Sequence, residues 1–170
     1  MDTESLVDKL ETSREAIRAL SVAVPAEQAH WKPSAGRWSI LEVINHLYDE
    51  EREDFRVRLD ITLRQPGATW PPIDPEGWVR ERSYQRRDLL QSLQRFLSER
   101  EQSVQWLRSL SDPQWQMAHY HPRLGNLSAG DILAAWVAHD LLHLRQLTRL
   151  HYDFTGKLAK PFSARYAGGW

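Results

Sequence analysis

His139 and His143 stand four residues apart in the run Ile132–Leu147, Ile-Leu-Ala-Ala-Trp-Val-Ala-His-Asp-Leu-Leu-His-Leu-Arg-Gln-Leu. On an α-helix that spacing leaves two side chains about 40° apart around the axis and about 6 Å apart along it. Both imidazoles can therefore meet one point in space. Ile132, Trp136, His139, His143 and Gln146 share one ridge, so the histidines interrupt an otherwise apolar stripe. Burying two imidazoles costs free energy unless their ring nitrogens find partners. A shared metal ion is one solution, and hydrogen bonds to neighbouring carboxylates are the other.

Other histidines offer partners. His46 falls beside Val43 and Leu47, at the edge of an apolar face, with Glu42 and Glu50 one turn to either side and Glu53 on the same strip. The run Asp49-Glu50-Glu51 reads as a mostly solvated face, from which one carboxylate could lean toward a metal or orient His46. His119-Tyr120-His121 can set two rings on one side of a strand or loop, but no third ligand follows by spacing. His30 reads as a loop residue.

Four amphipathic segments must position these groups. The first spans residues 3–22, with Leu6, Leu10, Ile17 and Leu20 on one side. The second starts at Ser39, where Glu42 completes a capping box, and is expected to run to Leu63. The third covers 83–110. The fourth opens at Ser128, with Asp131 in the capping position, and is expected to end at Leu150. Residues 25–37, 64–82 and 111–127 carry the proline and glycine of loops. The expectation is an all-α four-helix bundle, one domain over 1–170, with the tail 151–170 docked on it through its aromatic residues.

Composition narrows the chemistry. The 170 residues carry a net charge of −1, with 41% hydrophobic and 26% charged residues. No basic block exists for nucleic acid, and no apolar run is long enough to span a membrane. The start, Met-Asp-Thr-Glu-Ser, has no leader character, so a cytoplasmic protein is expected. Cysteine is absent, which excludes a thiolate nucleophile and leaves nitrogen and oxygen to hold any metal. Of the 8 tryptophans, most belong to packing, and several near helix ends could line a pocket mouth.

The segment Trp38-Ser-Ile-Leu-Glu-Val-Ile-Asn-His46-Leu-Tyr-Asp-Glu, with His139-Asp-Leu-Leu-His143-Leu-Arg-Gln146 far downstream, resembles the DinB-like (YfiT-like) superfamily. The lead-in Leu124-Gly-Asn-Leu-Ser-Ala-Gly-Asp131 and the closing Tyr166-Ala-Gly-Gly-Trp170 are similar too. The resemblance implies a crossed-over bundle topology, a homodimer and a divalent metal, zinc or nickel, held by His46, His139 and His143. Three imidazoles would leave coordination positions open, as catalytic sites do. Glu42, Glu50 and Gln146 are then candidates to orient a ligand or act as base. Asp140, about 100° round from His139, should face a neighbouring helix. The resemblance further implies an enzyme acting on a small molecule, first a thiol S-transferase using a low-molecular-weight thiol such as bacillithiol or mycothiol as cosubstrate, with a hydrolase as the alternative. A non-catalytic, stress-associated metal-binding scaffold is the other reading.

Overall fold

Ser39 Oγ accepts the Glu42 N–H at 3.2 Å, and the Glu42 carboxylate accepts the Ser39 N–H at 2.8 Å. Helix α3 (Ile40–Glu50) starts on this reciprocal cap. In the computed structural model, which describes residues 1–65 and 67–170, the helix after it does not run straight on. Glu51–Phe55 form a π-helical turn before α4 (Arg56–Arg64). The other long helices are α1 (Thr3–Ala19), α6 (Leu89–Ser109) and α7 (Ala129–Leu158). Two short helices, α2 (Ala26–His30) and α5 (Pro75–Glu81), lie in connecting segments. Among the described residues no helix is long and apolar enough to cross a membrane.

The α3–π–α4 segment acts as one rod. With α1, α6 and α7 it makes a four-helix bundle. The chief packing partners are α1 with α6 and α7, α3 with α6, and α4 with α7. The first two rods in the chain therefore sit diagonally, a crossed-over topology and not a simple up-and-down one.

The interior is apolar at both ends and polar in the middle. One core gathers Ile17, Ile44, Leu47, Phe96 and Leu147, and the other gathers Leu10, Leu59, Val104, Leu133 and Trp136. Between them Arg100 donates to Glu51 at 2.8 Å, to both oxygens of Asp140 and to the Leu10 carbonyl at 3.1 Å. This side chain, only 1% exposed, ties all four rods together. Burial opposes its charge, but the two carboxylates outweigh that cost and hold the guanidinium protonated.

Several boundaries depart from the sequence-based expectation. The segment 25–37 contains α2, and 64–82 contains α5, capped by Asp74 with Pro75 at its first turn. Pro66 of that segment lies outside the described residues. The third long helix begins at Leu89, not 83, because Ser83 takes a left-handed conformation (φ 51°) and Asp88 supplies the cap. The segment 111–127 is partly a hairpin, β1 (Ala118–His121) against β2 (Gly125–Ser128), antiparallel with His119 opposite Leu127. Gly125 takes φ +76°, which an L side chain would resist. The hairpin feeds directly into Ser128, whose side chain and Asp131 form the second capping box. Helix α7 continues two turns past Leu150, since Gly156 alone does not break it, so the tail begins after Leu158. In that tail Phe162 and Tyr166 are exposed, while the Trp170 ring lies 5.5 Å from that of Tyr152.

Candidate metal centre

Helix α3 brings His46 into the bundle, and α7 brings His139 and His143 one turn apart. The three rings meet through their Nε2 atoms: His46 to His139 at 3.3 Å and His143 to His139 at 3.1 Å. One ligand atom from each residue lies within 4.8 Å of the others. His46 is buried, and His139 and His143 are partly so. The Trp38 indole lies parallel to His143 (ring centroids 6.4 Å apart) and 4.8 Å from His46, covering one side. Phe55 covers another, 5.0 Å from the His139 ring and stacked on Trp136.

The electrostatics keep these rings neutral. Burial, with the neighbouring rings, pushes His46 down to about 2 and His139 down to about 3. Burial also lowers His143, against the opposing effect of its hydrogen bond to Gln146. Gln146 Oε1 sits 2.8 Å from His143 Nδ1. An amide oxygen only accepts, so Nδ1 carries the proton and Nε2 presents a lone pair to the other rings.

The donor set fits a divalent ion. Three neutral nitrogens facing each other at hydrogen-bond range cannot all be satisfied by one another. Two nitrogens each ~2.1 Å from one tetrahedral ion sit about 3.4 Å apart, close to the 3.3 Å and 3.1 Å of the two pairs that share His139. No carboxylate hydrogen-bonds any of the three rings, so the alternative of histidines serving only as partners of acids finds no support among the described residues.

The neighbouring candidates divide. Gln146 touches His143. Glu42 is spent on the α3 cap and on Lys32, 2.6 Å from its Oε1. Glu50 is buried beside Asp54, and its Oε1 has no partner. Burial, then the Asp54 charge, pushes Glu50 up to about 9. The run Asp49-Glu50-Glu51 is buried, contrary to its solvated reading. Asp49 accepts from Tyr84 and pairs with Arg82, and Glu51 accepts from Arg100 and Trp136. Helix α3 is covered on nearly every side, by α2, α5, α6, α7 and the turn at Tyr84–Arg86, so it keeps no solvated face for these acids. Glu53, inside the π-helical turn, leaves the His46 strip because the extra residue rotates it, and it binds Arg82 at 2.8 Å. Asp140 faces a neighbouring helix, as its position implies.

The remaining histidines lie elsewhere. His119 and His121 share one side of β1, 4.2 Å and 6.0 Å from the Trp70 ring. His30 is exposed at the end of α2. Sequence reasoning missed Phe55 as a wall of the centre, since a π-helical turn leaves no mark in hydrophobic spacing. A cavity of about 680 Å³ opens beside His143, lined also by Trp38 and Gln146. That volume suits a whole small molecule.

A crossed-over four-helix bundle thus brings three neutral imidazoles together beside a cavity, a candidate metal centre in a helical bundle. The chain belongs to the DinB superfamily, whose family model matches residues 9–147. It is 24% identical over 145 residues to a protein of Oceanobacillus iheyensis named "Putative metal-dependent hydrolase", across 85% of this chain and 83% of that one. It is 24% identical over 116 residues to YfiT of Bacillus subtilis, which bears the same description, across 68% of this chain and 65% of YfiT. The solved structure of Bacillus subtilis YfiT, described as an unusual four-helix bundle topology, superposes with a TM-score of 0.80 at 20% identity. It covers 90% of this chain and 87% of YfiT, and that likeness establishes the fold.

Proposed function

We propose that this protein is a metal-dependent hydrolase acting on a small molecule, with His46, His139 and His143 as ligands of a zinc or nickel ion. The convergence of three neutral Nε2 atoms at the wall of a cavity carries the reading. A divalent ion in such a site acidifies a water or thiol and polarises a carbonyl. The protein's own groups prepare the place. Gln146 fixes the tautomer and tilt of His143. The Arg100 link to Glu51 and Asp140 holds α3 and α7 at the separation that lets His46 reach His139. Trp38 and Phe55 exclude water from two sides. Of the two acidic candidates, Glu50 alone keeps an unpartnered carboxyl oxygen, and we assign it, not Glu42, to proton handling.

The S-transfer implied by the sequence resemblance would use the same centre. With no cysteine in the chain, its thiol would come from a cosubstrate. The relatives' names speak for water over thiol. The homodimer rests on the resemblance alone and belongs to this proposal. Metal content by mass spectrometry on untagged protein tests the reading. About one divalent ion per chain, lost in His46→Ala and His139→Ala, is expected. Absence of metal after reconstitution with zinc, nickel and manganese would overturn it. Ester, amide and thiol-conjugation substrates, screened on loaded protein, then separate water from thiol.

A further inference from the structure

The cavity beside His143 is lined by three arginines, Arg37, Arg145 and Arg149, and one acid, Asp153. A chain of net charge −1 thus concentrates positive charge where a small molecule would reach the three-histidine centre. Arg149 is tied to Asp153 at 2.9 Å. Arg37 and Arg145 have no ion pair and no side-chain hydrogen bond among the described residues. Glu76 lines the adjoining hollow with Arg37 and forms no ion pair with it.

Positions 142, 145, 146, 149 and 153 of α7 recur at helical spacing and make one wall. Arg145 and Arg149 are therefore like charges one turn apart, an arrangement unfavourable on its own. Arg37 comes from the loop before the α3 cap, next to Trp38. Trp38 gives the cavity a flat apolar side, and the Arg149 guanidinium lies over the Trp170 ring at 5.7 Å. Guanidinium groups match the planar, bidentate geometry of carboxylate and phosphate oxygens.

We propose that this cavity binds a small molecule bearing an oxyanion, carboxylate or phosphate, on an apolar body, with Arg37 and Arg145 as the clamp. The inference rests on reading the histidine centre as the reactive end of the same site, and it names the substrate class.

The test titrates phenyl phosphate, benzoate and neutral benzyl alcohol into isotope-labelled protein and follows the Trp38 indole resonance. Zinc per chain is measured on the same samples. Expected is binding of one or both anions, which also distinguishes phosphate from carboxylate, with benzyl alcohol at least tenfold weaker. The double variant Arg37→Gln/Arg145→Gln should weaken anion binding at least tenfold and keep the parent's zinc content. Arg95→Gln, an exposed arginine outside the cavity, should change neither. Equal binding of benzyl alcohol, or undiminished anion binding by the double variant, would overturn the proposal. So would normal zinc with no anion binding in the parent. Anion binding without zinc would overturn the metal reading and leave the oxyanion pocket standing.

Discussion

Asp140 follows His139 in the chain, yet its carboxylate closes on Arg100 of α6 with both oxygens. The same guanidinium takes both oxygens of Glu51, five residues beyond His46. The two helical segments that carry the imidazoles are thus fastened through one buried cation.

Replacing that cation should be costly. Arg100→Met leaves Glu51 and Asp140 as neighbouring buried acids with no counter-charge. The expected loss is about 3–5 kcal/mol. Urea unfolding of the metal-free protein measures it as a lower midpoint at unchanged slope. A loss below about 1 kcal/mol would show that the belt contributes little to stability.

Gln146→Ala should leave the fold intact and loosen the centre. His143 would lose the acceptor that fixes its Nδ1 proton. Zinc affinity, read by competition with a chelating dye, is expected to fall about ten- to a hundredfold. Unchanged affinity would mean that Gln146 does not orient the ring.

Glu42 should behave in the opposite way. Its two oxygens serve the Ser39 cap and Lys32. Glu42→Ala should cost about 1 kcal/mol of stability through the lost cap and keep full zinc content. Zinc lost at parental stability would return Glu42 to the centre.

The acid pair of Glu50 and Asp54 makes a pH prediction. Glu50 stands near 9 when folded against an ordinary value of 4.5, first because of burial. A carboxyl raised on folding contributes stability that is complete below pH 4.5 and is lost as pH rises through about 9. Glu50→Gln removes this slope. The variant should gain up to about 4 kcal/mol relative to parent at pH 8.5 compared with pH 5.5. Parallel stability curves for the two proteins would refute the assignment.

Much of this arrangement was legible in the residues. Ser39 with Glu42, and Ser128 with Asp131, announce their helix starts because a cap is a contact three residues long. The pairing of His139 with His143 is likewise local. His46 needed the family resemblance, since nothing in spacing tells which distant helix faces α7. Arg100 was invisible for the same reason, as its partners lie 49 and 40 residues away. The hairpin and the two short helices escaped because loops rich in proline and glycine also hide brief regular elements. The misread acids of Asp49-Glu50-Glu51 are buried because short helices and turns from distant parts of the chain cover α3, which no local spacing shows.

The π-helical turn sets two clocks in one rod. Before Glu51, inward positions keep time with His46, and after Phe55 they keep time with Leu59 and the second core. One added residue is about 100° of rotation. Removing a single residue within 51–55 would therefore do more than shorten the helix. It would resynchronise the halves, leaving either the histidine or the lower core turned to solvent. The rod is a phase shifter, and its length in residues is fixed by two faces that share no common beat.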